Sequence, residues 1–396
     1  MRSLSMGGGV NLPNVSYCEK ENEVHYNPLV IQPNNEIWYT TTDGEVVTPT
    51  VNSPCWNAAQ KEIPIISNIY ENGKGIIKFE KDCYQIREMA FKDCTSLASI
   101  TIPNSIKKIP YGMLGGCTSL NNITIPESVT EILEYSFRKC TALTSITIPN
   151  KVRLIYDFAF AHCTSLTGIT IPDSVTSIGK GVFLGWTGST SADIIKFPND
   201  ELKIKYIEKA QGFQDWKSLT HFIIPYGTTK IGESTFSGCT SLTGITIPDS
   251  VTSIGHGAFA GWTGATSTDI IKFPNDELKI KYFEANPSFS GWTSLADVVI
   301  PEGVTVLSRA AFSRCSSLAN ITIPSTISEI VVGAFSNCDK LSSITILSET
   351  PPTLGSNAFY DIASNAVIYV PSGSVDAYKT ATNWSTYASK IQAIPE

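Results

Sequence analysis

The feature that most constrains this chain is an internal repeat of 23 residues. Cys94 recurs as Cys117, Cys140 and Cys163, each 23 residues after the previous one. Around each cysteine the sequence follows the pattern C-x-x-L-x-x-I-T-I-P-x-x-V-x-x-I-x-x-x-A-F-x-x. A unit this short cannot bury its own apolar face, so similar neighbours must stack on it to build a continuous core. The repeat therefore predicts one elongated array, although 396 residues would suffice for two or three separate domains.

Two longer units interrupt this period. Beyond Cys163 tryptophan can replace cysteine at the first position, and one interval in each of two blocks widens from 23 to 30 residues. The first residues of these units are Trp186, Trp216, Cys239, Trp262, Trp292 and Cys315. The stretch GWTGSTSADIIKFPNDELKIKY at 185–206 returns almost unchanged at 261–282, which indicates that a block of three units was duplicated. We therefore assign the long units to 186–215 and 262–291.

The tryptophans that flank the long units have two interpretations. A longer coil leaves a step in the stack, and a large flat side chain on each side of the step would fill it. Exposed tryptophan is also common at binding hot spots, which would make the same residues platforms for sugar stacking. We prefer the core interpretation.

Within one unit the apolar positions predict a short strand and a short return path. The segment L-x-x-I-T-I ends in alternation with period two and is rich in β-branched residues, which is typical of a strand. Proline closes the strand. Only a short strand or a single helical turn fits in the rest of a 23-residue unit.

This unit resembles the BspA-like class of leucine-rich repeats, whose units read L-x-x-I-T-I-P-x-x-V-x-x-I-G-x-x-A-F-x-x-C. The resemblance covers about 71–360. The stretch AVIYVPSGSVDAYKTATNW at 366–384 is similar to the C-terminal cap of such arrays. The stretch NEIWYTTTDGEVVTP at 35–49 is similar to an N-terminal lead-in made of a strand, an Asp-Gly-type turn and a second strand. We therefore divide the chain into an N-terminal segment and cap (1–70), the array (71–360) and a C-terminal cap (361–396).

The expected fold is a leucine-rich repeat solenoid. We expect a β-rich, right-handed superhelix of about 12 coils, with one long parallel sheet, little helix and a cap at each end. Residues 71–360 should form one continuous parallel ladder. At roughly 4.8 Å per strand, this sheet would be on the order of 60 Å long.

The resemblance also implies a function. Members of this family are mostly surface or secreted proteins of host-associated bacteria, and several are adhesins. We expect a monomeric, non-catalytic protein-binding module that recognises a host matrix or cell-surface protein, or a glycan, through its sheet face. The alternatives are a structural spacer and a carbohydrate-binding solenoid. The start MRSLSMGGGV lacks the apolar segment of a signal peptide, so a surface or secreted location is implied by the resemblance alone.

Composition disfavours other classes of function. The net charge is −7 and basic residues are not clustered, whereas nucleic-acid binding depends on clustered basic side chains. No stretch approaches the roughly 18 apolar residues of a membrane span. The histidines share neither a repeat column nor a metal-ligand spacing; they are His25, His162, His221 and His256. The carboxylate pairs Asp200–Glu201 and Asp276–Glu277 follow Pro-Asn, which predicts solvated turns. We expect no enzyme activity, no cofactor and no metal.

The ten cysteines divide into two groups. Seven occupy the first position of a unit, and Cys83 replaces a core valine. Stacked neighbours in one column lie about 4.8 Å apart with parallel side chains, whereas a disulfide needs converging Cβ atoms about 3.8 Å apart. We therefore predict eight buried, reduced thiols. Only Cys18 and Cys55, both in the N-terminal segment, are candidates for a bridge.

Candidate ligand-binding residues lie where the outward-facing threonine column is interrupted. The Thr of I-T-I points away from the core in most units, whereas the long units and the units after them present lysine and branched apolar side chains there. These residues are Ile194, Lys196, His221 and Ile223 in the first block, and Ile270, Lys272, Asp297 and Val299 in the second. They predict two similar bays roughly 15 Å apart that would bind a repeating ligand twice. The alternative is a duplicated segment that drifts neutrally.

Overall fold

The computed structural model describes residues 32–285 and 288–396 of the chain. Apolar side chains in this part form one buried cluster that runs from Ile37 to Ile391. Phenylalanines of successive units stack in its centre, as Phe312 does on Phe335 with ring centroids 5.3 Å apart and an interplanar angle of 4°. Each coil therefore contributes one layer of side chains to a continuous core.

The strand of the I-T-I segment forms a front sheet. Its strands are β6 (Leu97–Thr101), β8 (Asn122–Thr124), β11 (Ile169–Thr170), β13 (Ile195–Lys196), β15 (Ile245–Thr246), β17 (Ile271–Lys272), β19 (Asn320–Ile323), β21 (Ser343–Ile346), β23 (Val367–Val370) and β24 (Ile391–Ala393). Neighbouring strands are parallel and keep the repeat register, so that Thr322 lies beside Thr345 and Thr345 beside Tyr369.

The return path forms a second, back sheet of two-residue strands. They are β7 (Lys108–Ile109), β9 (Glu131–Ile132), β10 (Leu154–Ile155), β12 (Ser177–Ile178), β14 (Lys230–Ile231), β16 (Ser253–Ile254), β18 (Val306–Leu307), β20 (Glu329–Ile330) and β22 (Thr353–Leu354). These strands are also parallel to one another. Between the sheets, backbone amides donate to the next coil, as Phe137 N does to Ala159 O at 2.9 Å.

The expected single continuous ladder is wrong. There are two columns of strands, and the front column is interrupted where 144–148, 222–224 and 298–300 adopt no strand. The long units cause two of the three interruptions, because their extra residues shift the phase between neighbouring coils.

The N-terminal end of the array also departs from prediction. β1 (Glu36–Thr41) lies antiparallel between β4 (Lys74–Phe79) and β6, so β4 does not pair with β6. Residues 46–49 are irregular, and the predicted second strand of the lead-in is absent. β4 instead forms a hairpin with β3 (Ile65–Glu71). Its turn is Asn72-Gly73, with φ of 52° and 77°, the positive values that a tight hairpin turn requires.

Of the seven extra residues in each long unit, three precede the strand and four follow it, and the four that follow give the chain room for a helix. α1 (Asp200–Ile207) and α2 (Asp276–Glu284) take the place of a back strand in their units. The side chains of Asn199 and Asn275 accept hydrogen bonds from Leu202 N and Leu278 N, both at 2.9 Å, and so cap these helices.

The prediction that the two carboxylate pairs lie in solvated turns is therefore wrong. Asp200–Glu201 and Asp276–Glu277 form the first turns of α1 and α2. Negative side chains are favourable at a helix N-terminus. Glu201 and Glu277 are exposed and pair with Lys205 and Lys281 one turn later, at 2.5 and 2.6 Å. These contacts account for the carboxylates structurally.

The core interpretation of the four column tryptophans is confirmed. All four are fully buried, and the rings of Trp262 and Trp292 stack with centroids 5.5 Å apart. Trp186 and Trp216 are 5.8 Å apart and tilted by 53°. Each pair fills the step beside its long unit.

The prediction for the cysteines is partly wrong. Cys83 is bonded to Cys55, at the point where β2 (Cys55–Trp56) pairs antiparallel with β5 (Gln85–Ile86). Cys55 reaches Cys83 on an antiparallel strand from outside the repeat column. The two cysteines are therefore not stacked neighbours of one column, whose parallel side chains could not form a disulfide. Cys18 lies outside the described residues, and Cys55 is not available to it. Six of the seven first-position thiols are buried and free, whereas Cys94 is half-buried.

At the C-terminal end, helical turns pack on the last coils. α3 (Val375–Thr380) and a 3-10 helix at Trp384–Lys390 precede β24. Trp384 is fully buried, and its Nε1 donates to Pro352 O at 2.8 Å. Within the described ranges, no helix has the length and hydrophobicity to cross a bilayer.

Candidate functional site

The candidate site lies on the outer surface of the front sheet, here named the front face. Its central row consists of the side chains at the Thr position of I-T-I, which alternate with buried isoleucines. The row is Thr101, Thr124, Thr147, Thr170, Lys196, Ile223, Thr246, Lys272, Val299, Thr322, Thr345 and Tyr369. Most of this row is neutral and polar.

A shallow depression of about 680 Å³ opens on the front face at the first long unit. Its lining comes from three successive coils, which contribute Thr147 and Asn150, then Thr170, and then Ile194 and Lys196. Lys196 is held beside Thr170 by the parallel pairing of β11 and β13. We name this surface the first depression.

The wall of the first depression is made by three inserted residues. They form a 3-10 turn at Ala192–Ile194, which the Ser191 side chain caps by accepting from Asp193 N at 3.1 Å. The turn lies against the preceding coil: a Cβ at Gly168 would be 3.4 Å from Ile194 O, an ordinary van der Waals contact.

The structure brings only some of the predicted residues together. Ile194 and Lys196 share the first depression, whereas His221 and Ile223 belong to the next coil and do not line it. His221 lies beside Ser191, three residues before Ile194, because the inserted turn projects out of the sheet. Its Nδ1 is 2.9 Å from Thr220 Oγ1.

The second block repeats this geometry with different chemistry. Thr246 lies beside Lys272, a 3-10 turn covers Thr268–Ile270, and a Cβ at Gly244 would be 3.3 Å from Ile270 O. The residues equivalent to Thr147 and Asn150, 76 positions later, are Ile223 and Tyr226. By this equivalence, we name the surface residues Ile223, Tyr226, Thr246, Ile270 and Lys272 the second depression.

Ile223 therefore belongs to the second depression. It is 78% exposed, and Tyr226 is 84% exposed. Asp297 and Val299 lie on the coil after the second long unit, where Asp297 pairs with Ser267 and Val299 is 61% exposed. The two depressions thus share a lysine and a turn but differ in one wall, which is polar in the first and apolar in the second.

Within the central row, charge lies at these two places. Lys196 and Lys272 are exposed, as are Asp193 and Asp269 on the adjacent turns. Within 32–285 and 288–396, neither lysine forms an ion pair. Each depression therefore offers a solvated ammonium group and a solvated carboxylate to a ligand.

The sequence did not reveal a third feature of the front face, at its N-terminal end. Trp38 on β1 lies between Ile76 and Thr101 in the central row, and Ile69 of β3 lies beyond Ile76. Lys74 Nζ lies 3.3 Å from the centroid of the Trp38 ring, and the indole Nε1 donates to Glu36 Oε2 at 2.7 Å. Only the antiparallel insertion of β1 places Trp38 in this row, so the repeat pattern could not predict it.

Other chemically capable groups do not assemble into a site. His162 is half-buried, and burial lowers its pKa. His221 and His256 are exposed on different coils, and His25 lies outside the described residues. In the described part of the chain, no three His, Cys, Asp or Glu side chains gather where they could hold a metal ion.

Comparison with known proteins identifies the repeat. The family described as the BspA type leucine-rich repeat region matches the chain in six copies, at 70–190, 205–286 and 285–391. This chain is a BspA-type leucine-rich repeat protein. Among curated proteins, none matches it.

One solved structure supports this fold, and two others are similar to the chain. A leucine-rich repeat protein from Eubacterium ventriosum is 23% identical to this BspA-type protein, with a TM-score of 0.56 over 72% of this chain and 81% of that one. One from Bacteroides ovatus is 23% identical, with a TM-score of 0.49 over 84% of this chain and 91% of that one. A leucine rich cell surface protein from Faecalibacterium prausnitzii is 23% identical, with a TM-score of 0.47 over 81% of this chain and 95% of that one.

Proposed function

We propose that this protein is a non-catalytic binding module that recognises a cell-surface or matrix protein through its front face. The principal support is the second depression, where Ile223 is exposed in a row that is otherwise mostly threonine and Tyr226, three residues later, is also exposed. Exposed apolar side chains rimmed by polar loops are typical of an interaction surface. The first depression, with Thr147 and Asn150, contacts the same ligand through polar groups.

Rigidity of the platform favours this role. Beneath the depressions the core is packed with aromatic rings. The ring centroids of Phe236 and Phe259 lie 5.9 Å apart, and those of Phe259 and Trp262 lie 5.2 Å apart. A pre-organised surface loses little conformational entropy when a ligand binds. Affinity then depends on a few anchors, which are Ile223, Tyr226 and Lys272.

We also propose that the protein works outside the cytoplasm, at the cell surface or in secreted form. The bridge between Cys55 and Cys83 supports this location, because structural disulfides form and persist mainly in oxidising compartments. The family resemblance points in the same direction.

The test is a binding array of immobilised extracellular-matrix proteins and glycans, probed with the labelled full chain and two variants. Ile223→Thr/Tyr226→Asn gives the second depression the two wall residues that the first one has. Because truncation of an interface anchor typically costs more than about 1 kcal/mol, we expect this variant to bind a protein ligand roughly tenfold more weakly or worse. Tyr360→Asn is the matched control, because Tyr360 is also an exposed tyrosine but follows Phe359 outside the front sheet.

Each outcome of the array separates one alternative. Binding to matrix proteins that Ile223→Thr/Tyr226→Asn weakens and Tyr360→Asn leaves unchanged would support the proposal. Binding to glycans alone would favour the carbohydrate-binding alternative. A blank array would favour the structural spacer, and equal loss in both variants would mean that the front face is not the site.

A further inference from the structure

The N-terminal edge of the front sheet is a long strand with an open side. The strand order is β3–β4–β1–β6–β8, which makes β3 the outermost strand. β3 pairs with β4 over Ser67–Glu71 in regular antiparallel register, with a register shift between Ile65 and Ser67. In an antiparallel pair, alternate residues direct their N–H and C=O groups away from the partner. Among the described residues, no other strand pairs with β3.

The open strand is apolar on its surface and firmly held from within. Ile66 is 60% exposed and Ile69 is 47% exposed. On the inner side, Asn68 accepts from Tyr39 Oη at 2.7 Å and donates to Val47 O at 2.8 Å. A long, fixed and apolar edge strand is a ready template for pairing with another strand.

The opposite end of the same sheet lacks these properties. β24 is only three residues long, and Pro395 follows it two residues later. Short edge strands and proline both limit edge-to-edge association. The two ends of the array therefore differ in their capacity to accept a strand.

We propose that β3 pairs antiparallel with β3 of a second copy of this chain, which joins two front sheets into one. From Pro64 to Tyr70 the chain carries no charge, so two copies meet without like charges opposite each other. With Ile69 opposite its own counterpart, Glu71 faces Ser67 of the second copy. The two Glu71 carboxylates are then on the order of 14 Å apart along the strands, beyond the Debye length of about 8 Å. Parallel pairing would instead place them side by side.

The size of this junction determines its strength. One added strand buries less surface than the roughly 1,200–2,000 Å² of a stable interface. The dimer is therefore weak and depends on concentration. It is isologous, with the same surface on both copies, as expected for a two-fold dimer. This departs from the monomer expected from the sequence.

The experiment measures mass and amide protection together. In sedimentation equilibrium of the full chain, from low to several hundred micromolar, we expect the average mass to rise from 42.9 kDa toward twice that value. Ile66→Lys/Ile69→Lys places like charges across the two-fold axis and should keep the protein monomeric throughout. Leu347→Lys/Tyr360→Lys, which changes two exposed apolar residues at the other end, should dimerise like the wild type.

Hydrogen exchange separates strand pairing from any other contact. In the wild type, the amides of Ser67–Glu71 should exchange more slowly as the protein concentration rises. In the Ile66→Lys/Ile69→Lys variant, exchange in the same segment should not depend on concentration. Circular dichroism of the variant checks that it is folded. A wild type that stays monomeric at the highest concentration, or a dimer that survives Ile66→Lys/Ile69→Lys, would show that the proposal is wrong.

Discussion

Cysteine and tryptophan share the first position of the unit because both donate a hydrogen bond to the preceding coil. Cys117 Sγ donates to Phe91 O at 3.0 Å, and Cys163 Sγ donates to Phe137 O at 3.1 Å. Trp186 Nε1 donates to Phe160 O at 2.9 Å, again 26 residues earlier. A buried carbonyl without a partner is costly. Tryptophan can therefore replace cysteine where a longer coil leaves more volume to fill.

The buried thiols make the protein sensitive to alkaline pH. Burial raises the pKa of Cys163 from its ordinary value of 9.0 to about 12. Between these values the unfolded chain releases the thiol proton and the folded chain retains it, so stability falls as pH rises through this window. We expect the melting temperature to hold up to about pH 9 and to fall above it.

Two alanine variants test the cause of this alkaline decline. Cys163→Ala should reduce the fall in melting temperature above pH 9, with each variant compared with its own value at pH 7. Cys94→Ala should reduce the fall over a narrower range, because Cys94 is half-buried and its pKa rises only to about 11. An identical decline in wild type and Cys163→Ala would contradict this account.

At the level of elements, the long units show how an insertion is accommodated in a repeat. Three residues form the 3-10 turn before the strand, and four allow a helix to replace a back strand. Asn199 and Asn275 stand directly after the proline of their units and cap these helices. Asn150 has the same position in a 23-residue unit, where no helix follows.

The cap residues can be tested by substitution. Asn199→Ala and Asn275→Ala should each lower the free energy of unfolding by about 1 kcal/mol, because a helix amide loses its acceptor. The double variant should lose about the sum, since the two sites are far apart. Chemical denaturation measures the change. Asn150→Ala, the matched control, should stay within about 0.5 kcal/mol of wild type; an equal loss there would rule out capping as the cause.

At the level of the whole molecule, stability is distributed unevenly along the front sheet. In a repeat array, each coil is stabilised mainly by its neighbours. β19, β21 and β23 pair over three or four residues each, whereas 222–224 and 298–300 have no strand partner. Both interruptions lie on the coil that follows a long unit, and their backbone amides should open more readily than those of the paired strands.

Hydrogen exchange should reproduce this pattern. Amides of Ser343–Ile346 and Val367–Val370 should exchange slowly, near the limit set by global unfolding, and those of 222–224 and 298–300 much faster. Peptide-level mass spectrometry of the full chain measures both. Uniform protection along the front sheet would mean that the interruptions have no energetic consequence.

The sequence by itself determined the repeat, its period, the stacked core and the place of the long units. These follow from local pattern, because each unit contacts only its neighbours and the same apolar positions recur. The burial of Trp186, Trp216, Trp262 and Trp292 was predictable for the same reason.

Only the tertiary structure decided which residues meet across the irregular parts. β1 reaches β4 and β6 over more than thirty residues of intervening chain, and this antiparallel insertion gives Trp38 its place on the front face. The partner of Cys55 follows from the antiparallel pairing of β2 with β5. Ile223 does not line the depression that contains Lys196, because the inserted turn pairs His221 with Ser191, and residue counts alone do not reveal where an insertion projects. Such contacts join distant segments without a repeating local signal, so the repeat pattern does not encode them.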